Sequence, residues 1–144
     1  MNEIKGEGIK ELIPQRYPMI MVDTFYGATD SEADTGLTVA DENLFCSNGF
    51  FIEPGLVEHI AQSSSAFAGY QAKVKNMPTP IGFIGEVKKL RINFLPRTGD
   101  KLRTHIRIIS EALGVSLLAA ETKVGEEIAA QCHMKIFIKP DDKN

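Results

Sequence analysis

The chain has 144 residues, 43% of them apolar and 24% charged, with a formal net charge of −3. That length holds one domain and can bury a core without staples, and the composition excludes a wholly disordered chain. The acidic balance supplies no basic field of the kind duplex nucleic acid or an anionic membrane would demand. Cys46 and Cys132 lie far apart and form no C-x-x-C pair. A structural zinc site and a disulfide framework are therefore not expected, and a reducing compartment fits. The longest apolar run near the N-terminus, 19–22, is too short for a signal-peptide core or a bilayer span. The expected location is the cytoplasm.

The pattern predicts one domain over 1–144, with a core at 9–139 and loose ends at 1–8 and 140–144. Residues 9–13 form a short helical turn stopped by Pro14. Strands are expected at 19–27 and 36–40, with a polar turn at 30–34 between them. Pro54 then opens a long helix, since it needs no amide partner there. Lys73 and Lys75 in the last turn, then Asn76 and Pro78, close it. Leu56, Val57, Ile60, Ala61, Ser64, Phe67, Ala68 and Val74 keep to one stripe of that helix. The small residues over 63–69 let it lie close to a neighbour. After it come strands only: 81–95, a turn at 96–100, 101–111, 115–124 and 128–138. In 101–111, Leu102, Thr104, Ile106 and Ile108 face one way and Arg103, His105 and Arg107 the other. In 128–138 the inward set is Ile128, Ala130, Cys132, Met134, Ile136 and Ile138. The segment 115–124, apolar on both faces, reads as a central strand. Strands of about ten residues, longer than usual, around one long helix suggest an α+β fold in which a curled antiparallel sheet wraps that helix.

Glu58 stands one turn into the helix, in line with Gln62, Ser65 and Gly69. A carboxylate near a helix N-terminus is favoured by the helix field, and most such groups are solvated surface residues. The sharper reading makes Glu58 a general acid or base. The backbone amides of Gly55 and Leu56 beside it would then be free to hold a developing oxyanion. His59 points about 100° away from Glu58, so the two form no ready dyad. His105 and His133 fall on the polar faces of their strands. Arg16 and Tyr17 could bind a ligand, but nothing in the pattern assigns them one. No H-x-x-x-H, H-E-x-x-H, G-x-S-x-G or P-loop pattern is present, so no metal or nucleotide cofactor is expected.

The run Ile13-Pro14-Gln15-Arg16-Tyr17-Pro18-Met19-Ile20-Met21-Val22-Asp23 resembles the L-P-H-R-Y-P-F-L-L-V-D opening of the (3R)-3-hydroxyacyl-ACP dehydratases. Glu58-His59-Ile60-Ala61-Gln62 resembles that family's E-A-x-A-Q. Residues 87–102, with Pro96, Gly99 and Asp100, loosely match its V-x-F-x-x-P-V-x-P-G-D-x-L. The resemblance spans about 9–138 and implies the hotdog fold, with two units pairing edge to edge and sites at their interface. It implies Glu58 as the catalytic carboxylate and an acyl-ACP or acyl-CoA thioester as substrate. Asn48, Gly55, Leu56 and Gln62 are the substrate-binding candidates.

The family also carries a histidine in a G-H-F-P segment ahead of the helix. Here 43–51 reads Asn-Leu-Phe-Cys-Ser-Asn-Gly-Phe-Phe, without one, and Gln15 replaces the histidine of the opening motif. Cys46, Ser47 and Asn48 remain, and Asn48 can orient a carbonyl or water but transfers no proton at neutral pH. The helix start more closely resembles a divergent branch associated with aryl-polyene and flexirubin synthesis. Three functions follow: a dehydratase-like enzyme on 3-hydroxyacyl-ACP, a hotdog thioesterase working with one helix carboxylate, or a non-catalytic acyl-carrier-binding or heterodimerising subunit. The expected assembly is a homodimer or higher oligomer, or a heterodimer with a histidine-bearing homologue.

Overall fold

The computed structural model describes residues 3–78 and 81–139, and the expected loose tail lies outside them. The elements in chain order are β1 (Ile4–Lys5), a 3-10 turn (Gly6–Glu11), β2 (Thr24–Ala28) and β3 (Glu32–Thr38). A small hairpin follows, β4 (Cys46–Ser47) and β5 (Phe50–Phe51), then helix α1 (Glu53–Val74). Strands β6 (Ile81–Ile92), β7 (Lys101–Ala112), β8 (Val115–Val124) and β9 (Glu127–Lys139) complete the chain. Seven strands form one sheet in the order β1-β2-β3-β7-β8-β9-β6. All its pairings are antiparallel. β8 lies inside the sheet, as its two-sided apolar character predicted, and β6 is an edge.

The helix ends for the reasons its sequence contains. Pro54 sits in its first turn. At the other end Asn76 takes the left-handed conformation at φ 58°. Its N–H donates to the Lys73 carbonyl at 3.0 Å, and Met77 N–H donates to Ala72 at 2.8 Å. These two bonds satisfy the last carbonyls, with Asn in the role glycine usually takes.

The apolar stripe of α1 packs on the concave face of the sheet. Ile60 and Phe67 meet Phe25, Ile106, Leu118, Met134 and Ile136 there. A second cluster under the helix start joins Leu56 and Phe51 to Leu37, Leu102 and Ala130. Ile60 is fully buried, so truncating it to alanine costs about 2–5 kcal/mol. Val74, predicted on the stripe, is instead 66% exposed in the last turn.

Three expectations about the N-terminal third are corrected. Residues 4–8 are not loose: Ile4 and Lys5 pair with Phe25 and Thr24, and Gly6 N–H donates to Asp23. The strand expected at 19–27 begins only at Thr24. Residues 19–23 cross the helix as a strap, because side chains of α1 take up backbone groups that a neighbouring strand would otherwise bond. The turn expected at 30–34 is also shorter. The Thr29 hydroxyl accepts from the Ser31 and Glu32 amides at 3.3 and 3.1 Å, and β3 starts at Glu32.

Candidate active site

The line Glu58, Gln62, Ser65, Gly69 does not face solvent. It faces the strap and the end of the 3-10 turn, and Gln62, Ser65 and Gly69 are buried. Gly69 lets the helix approach the end of the 3-10 turn: a Cβ there would lie 2.0 Å from the Leu12 carbonyl oxygen. Arg16 shapes the approach to the strap. Its guanidinium donates to the carbonyls of Ile13, Gln15 and Lys10 at 2.8, 2.7 and 3.2 Å. The Arg-Tyr-Pro motif therefore holds a loop here, while Tyr17 is 82% exposed.

Gln62 is the pivot. Its Nε2 donates to Met19 O at 2.7 Å and to Glu58 Oε2 at 2.8 Å. Its Oε1 accepts from Met21 N–H at 2.6 Å. Because Met21 supplies a donor and Met19 an acceptor, the amide has only one orientation that satisfies both. Glu58 is half-buried, and its Oε2 accepts the Gln62 bond.

The amides expected to be free are not. Gly55 N–H donates to Ile52 O at 2.9 Å and Leu56 N–H to the same oxygen at 3.2 Å. The first turn is tightened by the hairpin above it, where Phe45 and Phe51 close over Gly55. A Cβ at Gly55 would meet them at 2.6 and 2.7 Å. Among the described residues, the amide at the helix head without an acceptor belongs to Glu53. Ile52 caps the helix with no side-chain hydrogen bond.

Asn48 and Gly49 form the two-residue tip of the β4–β5 hairpin, with φ of 54° and 82°. That is the Asn-Gly signature of a type I′ turn, and it accounts for both residue types without a ligand. Cys46 stands at the base of the hairpin. Partial burial, then the nearby Asp41, raise its thiol above the ordinary range, so it is no ready nucleophile. Cys132 is pushed up to about 11 by burial.

The histidines lie in three environments. His59 is fully buried. Its Nδ1 is 2.6 Å from Met21 O and its Nε2 2.7 Å from the Thr104 hydroxyl, which lies 2.7 Å from that of Thr122. Burial lowers its pKa to about 4, against the opposing pull of the Met21 carbonyl and Asp23. His105 lies on the outer face of the sheet between Asp34 and Glu32, at 3.0 and 2.7 Å. His133 lies on that same outward face of β9, opposite Ala119 and Lys88. None of the three is hydrogen-bonded to Glu58. No set of three His, Cys, Asp or Glu among the described residues is placed to hold a metal ion.

The sequence reading set His59 aside by its angle to Glu58 and missed its burial. The signal was in β7, where Thr104 alternates inward between Leu102 and Ile106. A buried hydroxyl needs a polar partner, and the helix offers His59.

A curled antiparallel sheet around one long helix is the hotdog fold. The chain belongs to the ApeP-like family, the ApeP dehydratases, whose family model matches residues 7–144. It is 26% identical over 144 residues to the 3-hydroxyacyl-[acyl-carrier-protein] dehydratase FabZ of Caldanaerobacter subterraneus subsp. tengcongensis, covering 96% of this chain and all of that one. Its fold is similar to that of a chain in the dehydratase heterocomplex ApeI:P from Xenorhabdus doucetiae. That match has a TM-score of 0.86 at 13% identity and covers 92% and 91% of the two chains. A hypothetical thioesterase from Streptococcus pneumoniae, solved with coenzyme A, shares the fold at a TM-score of 0.63 and 9% identity, covering 81% of this chain and 84% of that one.

Proposed function

We propose that this chain is one half of a two-subunit dehydratase acting on 3-hydroxyacyl-ACP thioesters, and that Glu58 is its contribution to the proton transfers. Dehydration breaks the C2–H and C3–O bonds, forms the C2=C3 double bond and releases water. One group must take the C2 proton and another must protonate the departing hydroxyl. The observation that carries the half-site reading is the fate of the histidines. His59 has both ring nitrogens engaged in the core, and His105 and His133 lie on the far side of the sheet. The second proton carrier then comes from a homologue that keeps the G-H-F-P histidine.

The geometry of the chain supports an assembly. Strand β6 leaves twelve residues of sheet edge unpaired, a liability that a partner strand removes. Two concave regions of about 440 Å³ each, one by the end of α1 and one on the outer face, are not lined by Glu58. Pairing β6 to β6 would build a cleft beside Glu58 from both subunits. Gln62 holds the carboxylate there. The Glu53 amide and the positive end of the helix dipole provide a field for the thioester oxygen, and Asn48 lies on the hairpin beside that end. A cytoplasmic setting suits the free thiols of Cys46 and Cys132.

The second reading, an acyl thioesterase acting on acyl-ACP or acyl-CoA, is favoured by one observation: the helix carries a carboxylate with no histidine hydrogen-bonded to it. One assay separates the two. The purified chain, alone and mixed with a histidine-bearing homologue, is given 3-hydroxyacyl-ACP, and both enoyl product and free thiol are followed. Enoyl product only in the mixture supports the half-site dehydratase. Brisk dehydration by the chain alone refutes it, and free thiol without enoyl product selects the thioesterase. Within the mixed complex, Glu58→Gln should abolish most turnover, while the partner's own carboxylate should be dispensable.

A further inference from the structure

The strap over α1 is held by the helix's side chains, and two of them share one residue. Met21 N–H donates to Gln62 Oε1, and Met21 C=O faces His59 Nδ1 at 2.6 Å. A carbonyl oxygen only accepts, so Nδ1 carries the proton, and the neutral ring leaves Nε2 as an acceptor. The Thr104 hydroxyl therefore donates to Nε2 and accepts in turn from Thr122. The chain of bonds runs from β8 through β7, His59, Met21 and Gln62 to Glu58 Oε2. His59, Gln62, Met21, Thr104 and Thr122 are all fully buried, so no water replaces a lost partner.

We infer that His59 is a positioning residue for Glu58: as the Nδ1–H tautomer it locks Met21, which orients Gln62, which holds Oε2 and leaves Oε1 for proton transfer. The inference rests on the reading of Glu58 as a proton carrier, and it names the groups that aim it. A core histidine that merely filled space would leave the carboxylate's aim alone. This one shares its backbone partner with the amide that touches Glu58, so strap and carboxylate move together.

The test compares His59→Asn with His59→Leu. The two new side chains have the same number of heavy atoms and the same branching at Cγ, and only Asn can donate to Met21 O. In the mixed complex with a histidine-bearing homologue, His59→Leu should lower kcat about tenfold with KM for 3-hydroxyacyl-ACP unchanged, and His59→Asn should recover most of the loss. In the chain on its own, the Gln62 side-chain amide should exchange slowly with solvent in the wild type and in His59→Asn, and faster in His59→Leu. Nitrogen-15 spectra of the wild-type chain should show His59 protonated at Nδ1 and bare at Nε2. The inference is overturned if Nε2 carries the proton, or if Leu and Asn variants give the same kcat and the same Gln62 exchange. If the wild-type mixture does not dehydrate at all, the reading of Glu58 falls, and the exchange and tautomer measurements decide by themselves whether His59 orients Gln62. Should His59→Leu not fold, the tautomer and the His59→Asn data decide.

Discussion

The two faces of the sheet treat one residue type in opposite ways. On the concave side His59 is walled off from water, and burial lowers its pKa to about 4. On the outer side His105 is partly buried, which alone would also lower its pKa, but hydrogen bonds and charge from Asp34 and Glu32 outweigh that and raise it. One histidine is kept neutral so that it can be a fixed donor and acceptor. The other is biased toward its cationic form by the two acidic residues of β3 beside it. The comparison teaches that the seam between helix and sheet holds its histidine neutral, while Glu58, the proposed proton carrier, stands half-buried at its end.

The largest effect expected from breaking the seam falls on that emerging charge. In the mixed complex, Glu58→Gln should cut turnover by about 10²–10⁴ while the melting temperature stays within a degree or two. Unchanged turnover in an active preparation removes Glu58 from the site. Next comes the charge the seam refuses. The unfolded chain takes up a proton on His59 below about pH 6.5, whereas the folded chain does so only near pH 4. The stabilising effect of the neutral ring is full above about 6.5 and is lost as the pH falls toward 4, on the order of 3 kcal/mol in all. Urea unfolding from pH 7 to 4 checks it: the wild type should lose this amount relative to His59→Asn, whose difference from wild type would stay flat if the ring did not resist protonation.

A smaller effect belongs to the tight approach of the helix to the 3-10 turn. Gly69→Ala places a methyl group 2.0 Å from the Leu12 carbonyl oxygen, so either the helix or the 3-10 turn must shift. A cost of about 1–3 kcal/mol is expected from overpacking, read as a lower urea midpoint at constant m. An unchanged midpoint would mean that the strap side yields freely, and would weaken the case that strap and helix form one rigid clamp.

The sequence made the sheet and helix legible because they obey simple periods. Strands β7 to β9 alternate, and α1 is bounded by Pro54 at one end and Asn76 and Pro78 at the other. The strap was misread because residues 19–23 are as apolar as a strand. What distinguishes them is the source of their hydrogen bonds, two side chains some forty residues away. The candidate carboxylate was found by its motif, but its surroundings were not: an exposed face was expected where Gln62 and Gly69 are buried. The Gly55 and Leu56 amides were taken as free because helix starts usually leave donors unpaired, whereas here the Phe45 and Phe51 lid and the Ile52 carbonyl close the turn. Asn48 gained a turn role that the Asn-Gly pair already announced.

The smallest effect belongs to the outer face and completes the contrast between the histidines. His105 lies 2.7 Å from Glu32 and 3.0 Å from Asp34, with 45% of its side chain exposed. Because its folded pKa is raised, its stabilising contribution is fully present below the unfolded value of about 6.5 and disappears as pH rises through the higher folded value. At this exposure solvent and salt screen most of it, leaving a few tenths of a kcal/mol. Against His105→Gln, the wild-type chain should therefore melt higher at pH 6, with the advantage fading toward pH 9 and shrinking when salt is raised to about 1 M. That slope is opposite in sign to the one expected for His59 over the acid range. A pH-independent difference would mean that His105 acts through packing or neutral hydrogen bonds, and the division of labour between the two faces of the sheet would then rest on His59 alone.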